Sequence, residues 1–173
     1  MLSEKVLKAL NDQITKEFHS AYLYMAMSAY FEGENLPGFA KWMRLQAQEE
    51  SCHALIFFNH VCERGGKVVL GAIEGPPAKF KSPQDVLEKT LAHEQFITDS
   101  INKLMDLAIK ESDHATRVML QWFVTEQVEE EAHAGEVLGR VKLMKGGGHG
   151  LFMMDRGMGA RTFAVPSPLA GKI

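Results

Sequence analysis

The chain has 173 residues, 46% of them hydrophobic and 24% charged, enough for a single domain with a sizeable buried core. Its net charge of −3 carries no basic excess, so neither nucleic acid nor an anionic membrane surface is an expected partner. The opening "MLSEKVLKAL" lacks a signal-peptide apolar run, and no window approaches the roughly 18 apolar residues of a membrane span. Cys52 and Cys62 form no CxxC pair and lie too far apart on one helix for a disulfide, so the expected setting is a reducing cytoplasm.

Four long segments carry apolar residues at alternating steps of four and three, the spacing of helices packed into a bundle. From roughly 4 to 32 the seam is Val6, Leu10, Gln13, Glu17, Ser20, Tyr24, Met27 and Phe31. "ENLPG" interrupts it, with Asn35 placed to cap the next helix and Pro37 to open its first turn. From about 37 to 64 the seam reads Phe39, Met43, Gln46, Glu50, His53, Phe57 and His60. A third helix over about 83 to 111, opened by "SPQD", reads Leu87, Leu91, Glu94, Thr98, Ile101, Met105 and Ala108. The fourth, about 113 to 144, reads Leu120, Phe123, Gln127, Glu130, Ala134, Val137, Val141 and Met144.

Short turns make each consecutive pair an antiparallel hairpin, and "GGKVVLGAIEGPPAKFK" between the pairs is long enough to run back along the molecule. The expected fold is all-α: a four-helix bundle with one long crossover over residues 1–145. Residues 146–173 then supply a Gly-rich linker, a short C-terminal fifth helix weakened by Gly157 and Gly159, and a tail of the same domain. Off the seam of the second helix, Leu45, Cys52 and Ile56 add apolar surface, for which a subunit contact is the expected cover.

The seams also carry polar residues that a core helix does not need. At about 1.5 Å per residue, Glu94 and Glu130 each lie about 18 residues from their shared turn, and Glu17 and Glu50 sit at similar depth around theirs. Glu17 precedes Glu50 by 33 positions and Glu94 precedes Glu130 by 36, while His53 and His133 each follow their glutamate at i+3. One glutamate on a seam is ordinarily a side chain reaching for solvent or a hydrogen-bond partner. Four at one level, in two hairpins that repeat the order lone Glu then Glu-x-x-His, form the ligand set of carboxylate-bridged di-iron and di-manganese bundles. Two divalent cations bring about four positive charges into a low-dielectric core; carboxylates neutralise and bridge them, and imidazole suits iron better than magnesium or calcium. His19, His60, His93, His114 and His149 stand off this level and read as ordinary histidines. Tyr24 is either a core tyrosine or a phenol supplying a hydrogen bond or an electron, and "EEE" at 129–131 is either a solvated acidic face or a further set of ligands.

Through "LNDQITKEFHSAYLYMAM", "GFAKWMRLQAQEESCHA", "ERGGKV", "EGPP" and "DHATRVMLQWFVTEQVEEE", the chain resembles a prokaryotic non-haem ferritin from residue 1 to about 165. The resemblance implies a ferroxidase that oxidises Fe(II) with dioxygen or hydrogen peroxide, inside a hollow shell of identical subunits, usually twenty-four, which stores ferric oxyhydroxide mineral. Carried over by position, it implies one iron site at Glu17, Glu50 and His53 and another at Glu50, Glu94 and Glu130, with Gln127 beside them. It further implies a third, inner iron site or transit path at Glu49, Glu126 and Glu129, with Glu130 shared. His133 departs from the pattern: haem-containing relatives use an imidazole there, so either an asymmetric or a two-histidine site is open. Haem itself is not expected, because the methionine those relatives place after the first helix-two glutamate is Ser51 here. The alternative is a stand-alone di-iron oxidase or peroxidase without mineral storage; a rubrerythrin-type peroxidase would carry paired CxxC motifs, which this chain lacks.

Overall fold

The computed structural model describes residues 2–144 and 148–171. Its helices are α1 (Glu4–Gly33), α2 (Pro37–Glu63), α3 (Pro83–Lys110), α4 (His114–Leu143) and α5 (Gly148–Met158), followed by a 3-10 turn at Ser167–Leu169. The Gly-rich linker expected before α5 falls on 145–147 and lies outside the described residues. None of the described helices is long and apolar enough to cross a membrane.

Three helices begin on their own caps. Ser3 Oγ accepts from Val6 N, Ser82 Oγ from Asp85 N, and Asp113 Oδ1 from Thr116 N, each satisfying an amide that a helix start leaves without a carbonyl partner. α2 differs, and Asn35 does not cap it. Asn35 sits at φ 59°, in the left-handed region, and turns the chain out of α1, while the residue before α2 is Leu36, whose side chain has nothing to offer. The cap arrives from a distant segment: Phe39 N donates to Asp155 Oδ1 of α5 at 2.9 Å. Gly38 makes this approach possible, since a Cβ there would lie 1.8 Å from the Asp155 carbonyl oxygen. Docking on α2 thereby keeps α5 helical through Gly157, where propensity alone argues against it.

α1 and α2 pack as one antiparallel hairpin and α3 and α4 as another, with α1 against α3. The crossover between the hairpins is pinned to α1: Asn11 donates to the Lys67 carbonyl at 3.1 Å and accepts from Val69 N at 2.9 Å. Two apolar clusters fill the bundle. One contains Leu10, Ile14, Phe57, Val61, Ile101, Leu104, Leu120 and Phe123; the other contains Met27, Phe31, Phe39, Met43, Leu87, Val137 and Val141. Burying each large apolar side chain contributes about 1.5–3 kcal/mol, which lets the bundle tolerate a polar layer between the clusters.

Cys52 and Ile56 correct one expectation. They are buried within their own chain, in the cluster that also holds Leu169, with Phe163 packed against it. The C-terminal tail packs on that side of α2, while Leu45 is half-buried.

Candidate metal centre

The polar layer is built by one turn from each of the four bundle helices. Glu17 of α1, Glu50 and His53 of α2, Glu94 of α3, and Gln127 and Glu130 of α4 are all 7% exposed or less. One ligand atom from each of Glu17, Glu50 and His53 lies within 4.8 Å of the others. His53 Nδ1 stands 3.4 Å from Glu50 Oε2. Among the described residues His53 Nε2 has no hydrogen-bond partner, and no N–H or hydroxyl reaches Glu17 Oε2, whose carboxyl instead meets that of Glu50. Buried polar atoms are nearly always satisfied, so an unpartnered imidazole nitrogen beside two abutting carboxyls fits a cation that the trio is shaped to receive.

Neighbouring side chains orient the other oxygens. Gln13 Nε2 donates to Glu17 Oε1 at 2.8 Å and is itself held by Ser100 Oγ at 2.6 Å. Gln46 Nε2 donates to Glu130 Oε2 at 2.8 Å, and Gln127 Nε2 to Glu94 Oε2 at 3.3 Å. The Tyr24 hydroxyl donates to Glu94 Oε1. Such outer partners fix the direction from which a carboxylate meets a metal. Tyr24 is fully buried, with its hydroxyl on a carboxylate of the layer.

Crowding these carboxylates out of water drives protons onto Glu17, Glu50 and Glu94. Burial, and then the charge of Glu50, pushes the Glu17 carboxyl up to about 8. Glu94 is raised to about 7, by burial and then by Glu130. Burial, and then Glu94 and Glu130, holds Glu50 well above the usual carboxylate range. Without a cation the layer keeps protons, and a divalent cation would displace them.

Glu49 and Glu126 are half-buried and feel the charge of Glu130, and Glu129 is exposed. Burial raises both Glu49 and Glu126. His133 is not brought to the layer. It is exposed, in a groove with Trp42, Glu136, Arg140, Met158 and Arg161. Gln13 and Gln46 carry no motif, and the signal for them is only a polar seam position four residues before a buried glutamate. Arg161, whose Nη2 donates to both Glu49 oxygens at 2.7 and 3.0 Å, has no signal in the sequence at all.

Residues 7–144 match the family of ferritin-like domains. A bacterial non-heme ferritin from Bacteroides fragilis (strain 638R) is 40% identical over 161 residues, 93% of this chain and 100% of its own. Another from Campylobacter jejuni is 41% identical over 156 residues, 90% of this chain and 93% of its own. The open-pore ferritin of the hyperthermophilic archaeon Archaeoglobus fulgidus superposes with a TM-score of 0.93 at 43% identity, over 94% of this chain and 100% of that one. With the same bundle, the same crossover and a buried carboxylate and imidazole layer, the chain belongs to the ferritin-like domain family, alongside the bacterial non-haem ferritins.

Proposed function

We propose that this chain oxidises Fe(II) at a pair of sites within each subunit and stores the product as ferric oxyhydroxide inside a shell of identical subunits, twenty-four in number. The family supports iron storage and ferroxidase activity in general terms. The observation that carries the specific reading is the buried layer itself, in which four helices each supply a carboxylate and, among the described residues, His53 Nε2 stands without a partner.

In this reading Glu17, Glu50 and His53 hold one Fe(II), and Glu50, Glu94 and Glu130 the other, with Gln127 holding Glu94 in place and Glu50 serving both. Each ion gives up one electron; dioxygen takes two electrons and two protons to become hydrogen peroxide, and peroxide takes two more of each to become water. Both ions must therefore sit together for one oxidant to be reduced in a single encounter. Hydrolysis of the ferric product releases protons, and Glu49 and Glu126, whose proton affinity burial raises, stand next to the layer to accept them. The same two residues, with Glu129 and the shared Glu130, form a third cation position on the way out.

Exposing metal-free protein to Fe(II) in air tests this, with particle mass read by sedimentation and retained iron by elemental analysis. The expected result is rapid oxidation and a large shell that keeps far more iron than its binding sites hold. A small particle that oxidises Fe(II) and releases all the ferric product would instead be the stand-alone di-iron oxidase. Oxidation no faster than in buffer would overturn both.

A further inference from the structure

Arg161 stands where the acidic path leaves the buried layer. Its Nη2 is shared between Glu49 Oε2 and Oε1 at 2.7 and 3.0 Å, and its Nη1 donates to Gln46 Oε1. Gln46 in turn donates to Glu130 Oε2 at 2.8 Å, so one guanidinium is tied directly to Glu49 and, through a single amide, to Glu130. Its charge also acts on Glu126, so it stands among three of the four carboxylates assigned to the third cation.

The tail delivers this side chain from two fixed points. Upstream, Asp155 caps α2 at Phe39, and Lys41 Nζ donates to the Gly159 carbonyl at 2.8 Å, two residues before Arg161. Downstream, Phe163 and Leu169 pack into the cluster of Cys52 and Ile56. The segment therefore follows α2 from its first turn to beyond Glu50 and passes Glu49, next to the metal ligand Glu50. Arg161 is 27% exposed in its side chain and Glu49 14%, so the pair is shielded yet close enough to solvent to open.

We propose that Arg161 is a built-in competitor for the third cation: its guanidinium neutralises Glu49 and holds Gln46 across the path, and a metal ion reaches Glu49, Glu126, Glu129 and Glu130 together only when the arginine lets go. A guanidinium and a hydrated divalent cation demand the same carboxylate oxygens, and a forked charge-assisted pair does not share them. The tail thereby sets how long iron stays at the inner pair before it moves on. This inference rests on the proposed pair of iron sites.

Calorimetric titration of metal-free protein with Zn(II), which binds such ligands without redox chemistry, tests it through Arg161→Gln and Arg161→Lys. Both variants should retain two tight sites per subunit within about twofold of the parent, while Arg161→Gln tightens the third site by about tenfold, the scale of one lost charged hydrogen bond. Arg161→Lys keeps the charge without the fork and should fall between. If the third site is unchanged or weaker in Arg161→Gln, or absent throughout, the competition does not exist. If Lys and Gln behave alike, a loosened tail rather than charge competition explains the change, and the proposal fails. Should the two tight sites be missing from parent and variants alike, the proposed iron pair falls first and this inference with it.

Discussion

The two hairpins of the bundle carry one order of residues, a lone glutamate followed by Glu-x-x-His, yet only one of the two imidazoles is inside. His53 is 1% exposed and lies in the carboxylate layer, whereas His133 faces solvent. The cause is how much of each helix is covered. In α2 both positions after the glutamate are buried, His53 at i+3 and Ala54 at i+4, so the imidazole lies inside. In α4 the buried run is Phe123, Gln127, Glu130 and Ala134, and the inward position comes four residues on. A helix turns 3.6 residues per revolution, so i+3 and i+4 fall on opposite sides of the direction that i occupies, and packing decides which of them is covered. In α4 the polar partner lies three residues before the glutamate, at Gln127, and the residue after it is the methyl of Ala134. The comparison teaches that a ligand motif names candidates, while the seam on either side of it selects which candidate faces the centre.

The largest effect should come from removing a ligand on the inward side of the first hairpin. Glu50→Ala or His53→Ala is expected to slow Fe(II) oxidation roughly 100-fold or more, followed as the absorbance of the ferric product after mixing with air-saturated buffer. The helical fold should survive Glu50→Ala, because deleting one carboxylate relieves the repulsion that raises Glu17. Parent-like rates in either variant would mean that the buried layer is not where iron reacts.

A smaller effect, of the opposite kind, concerns stability without metal. The Glu17 carboxyl has its ordinary value at 4.5 when unfolded and is pushed up to about 8 when folded, so between those values the native state binds more protons than the unfolded chain. Stability contributed by this group is therefore full at low pH, falls as pH rises through the window, and is level again above it. Glu94 acts with the same sign up to about 7. Glu17→Gln keeps the shape and the bond from Gln13 but cannot ionise. In chelator it should exceed the parent's stability by about 2 kcal/mol or more near pH 8, and by little near pH 5. Denaturant unfolding at the two pH values reads the difference directly. A variant-minus-parent difference that does not change with pH would show that Glu17 carries no trapped proton.

Much of this molecule was legible in advance, and the omissions share a reason. Helix ends fell within a residue or two of the expected bounds because Ser82, Pro83, Pro37 and Asp113 act on amides a few residues away, and local signals survive in sequence. The level of Glu17, Glu50, Glu94 and Glu130 was legible because a helix converts residue count into height. What sequence could not display were contacts made across the fold. Asp155 caps a helix 116 residues earlier, Arg161 pairs with Glu49 across 112, and Leu169 joins the apolar cluster of Cys52 and Ile56, none with a spacing to betray it. Asn35 misled because asparagine serves both as a helix cap and as a left-handed turn residue, and the positive φ here selects the second use.

The smallest expected effect is the sharpest test of the hairpin comparison. His133→Ala removes an imidazole three residues after a proposed iron ligand, and spacing alone would have it weaken the second site as His53→Ala weakens the first. The seam argues otherwise: at Glu130 the buried successor is Ala134, and one carboxylate oxygen is already held by Gln46. Anaerobic Fe(II) titration of His133→Ala should therefore show both high-affinity sites within about twofold of the parent, and unfolding should shift by no more than about 0.5 kcal/mol, as for an ordinary exposed side chain. Selective weakening of one site would put the imidazole at the metal. It would require α4 to rotate toward its i+3 face when iron binds, carrying Gln127 off Glu94, and the bundle would then hold two equivalent histidine sites in place of one.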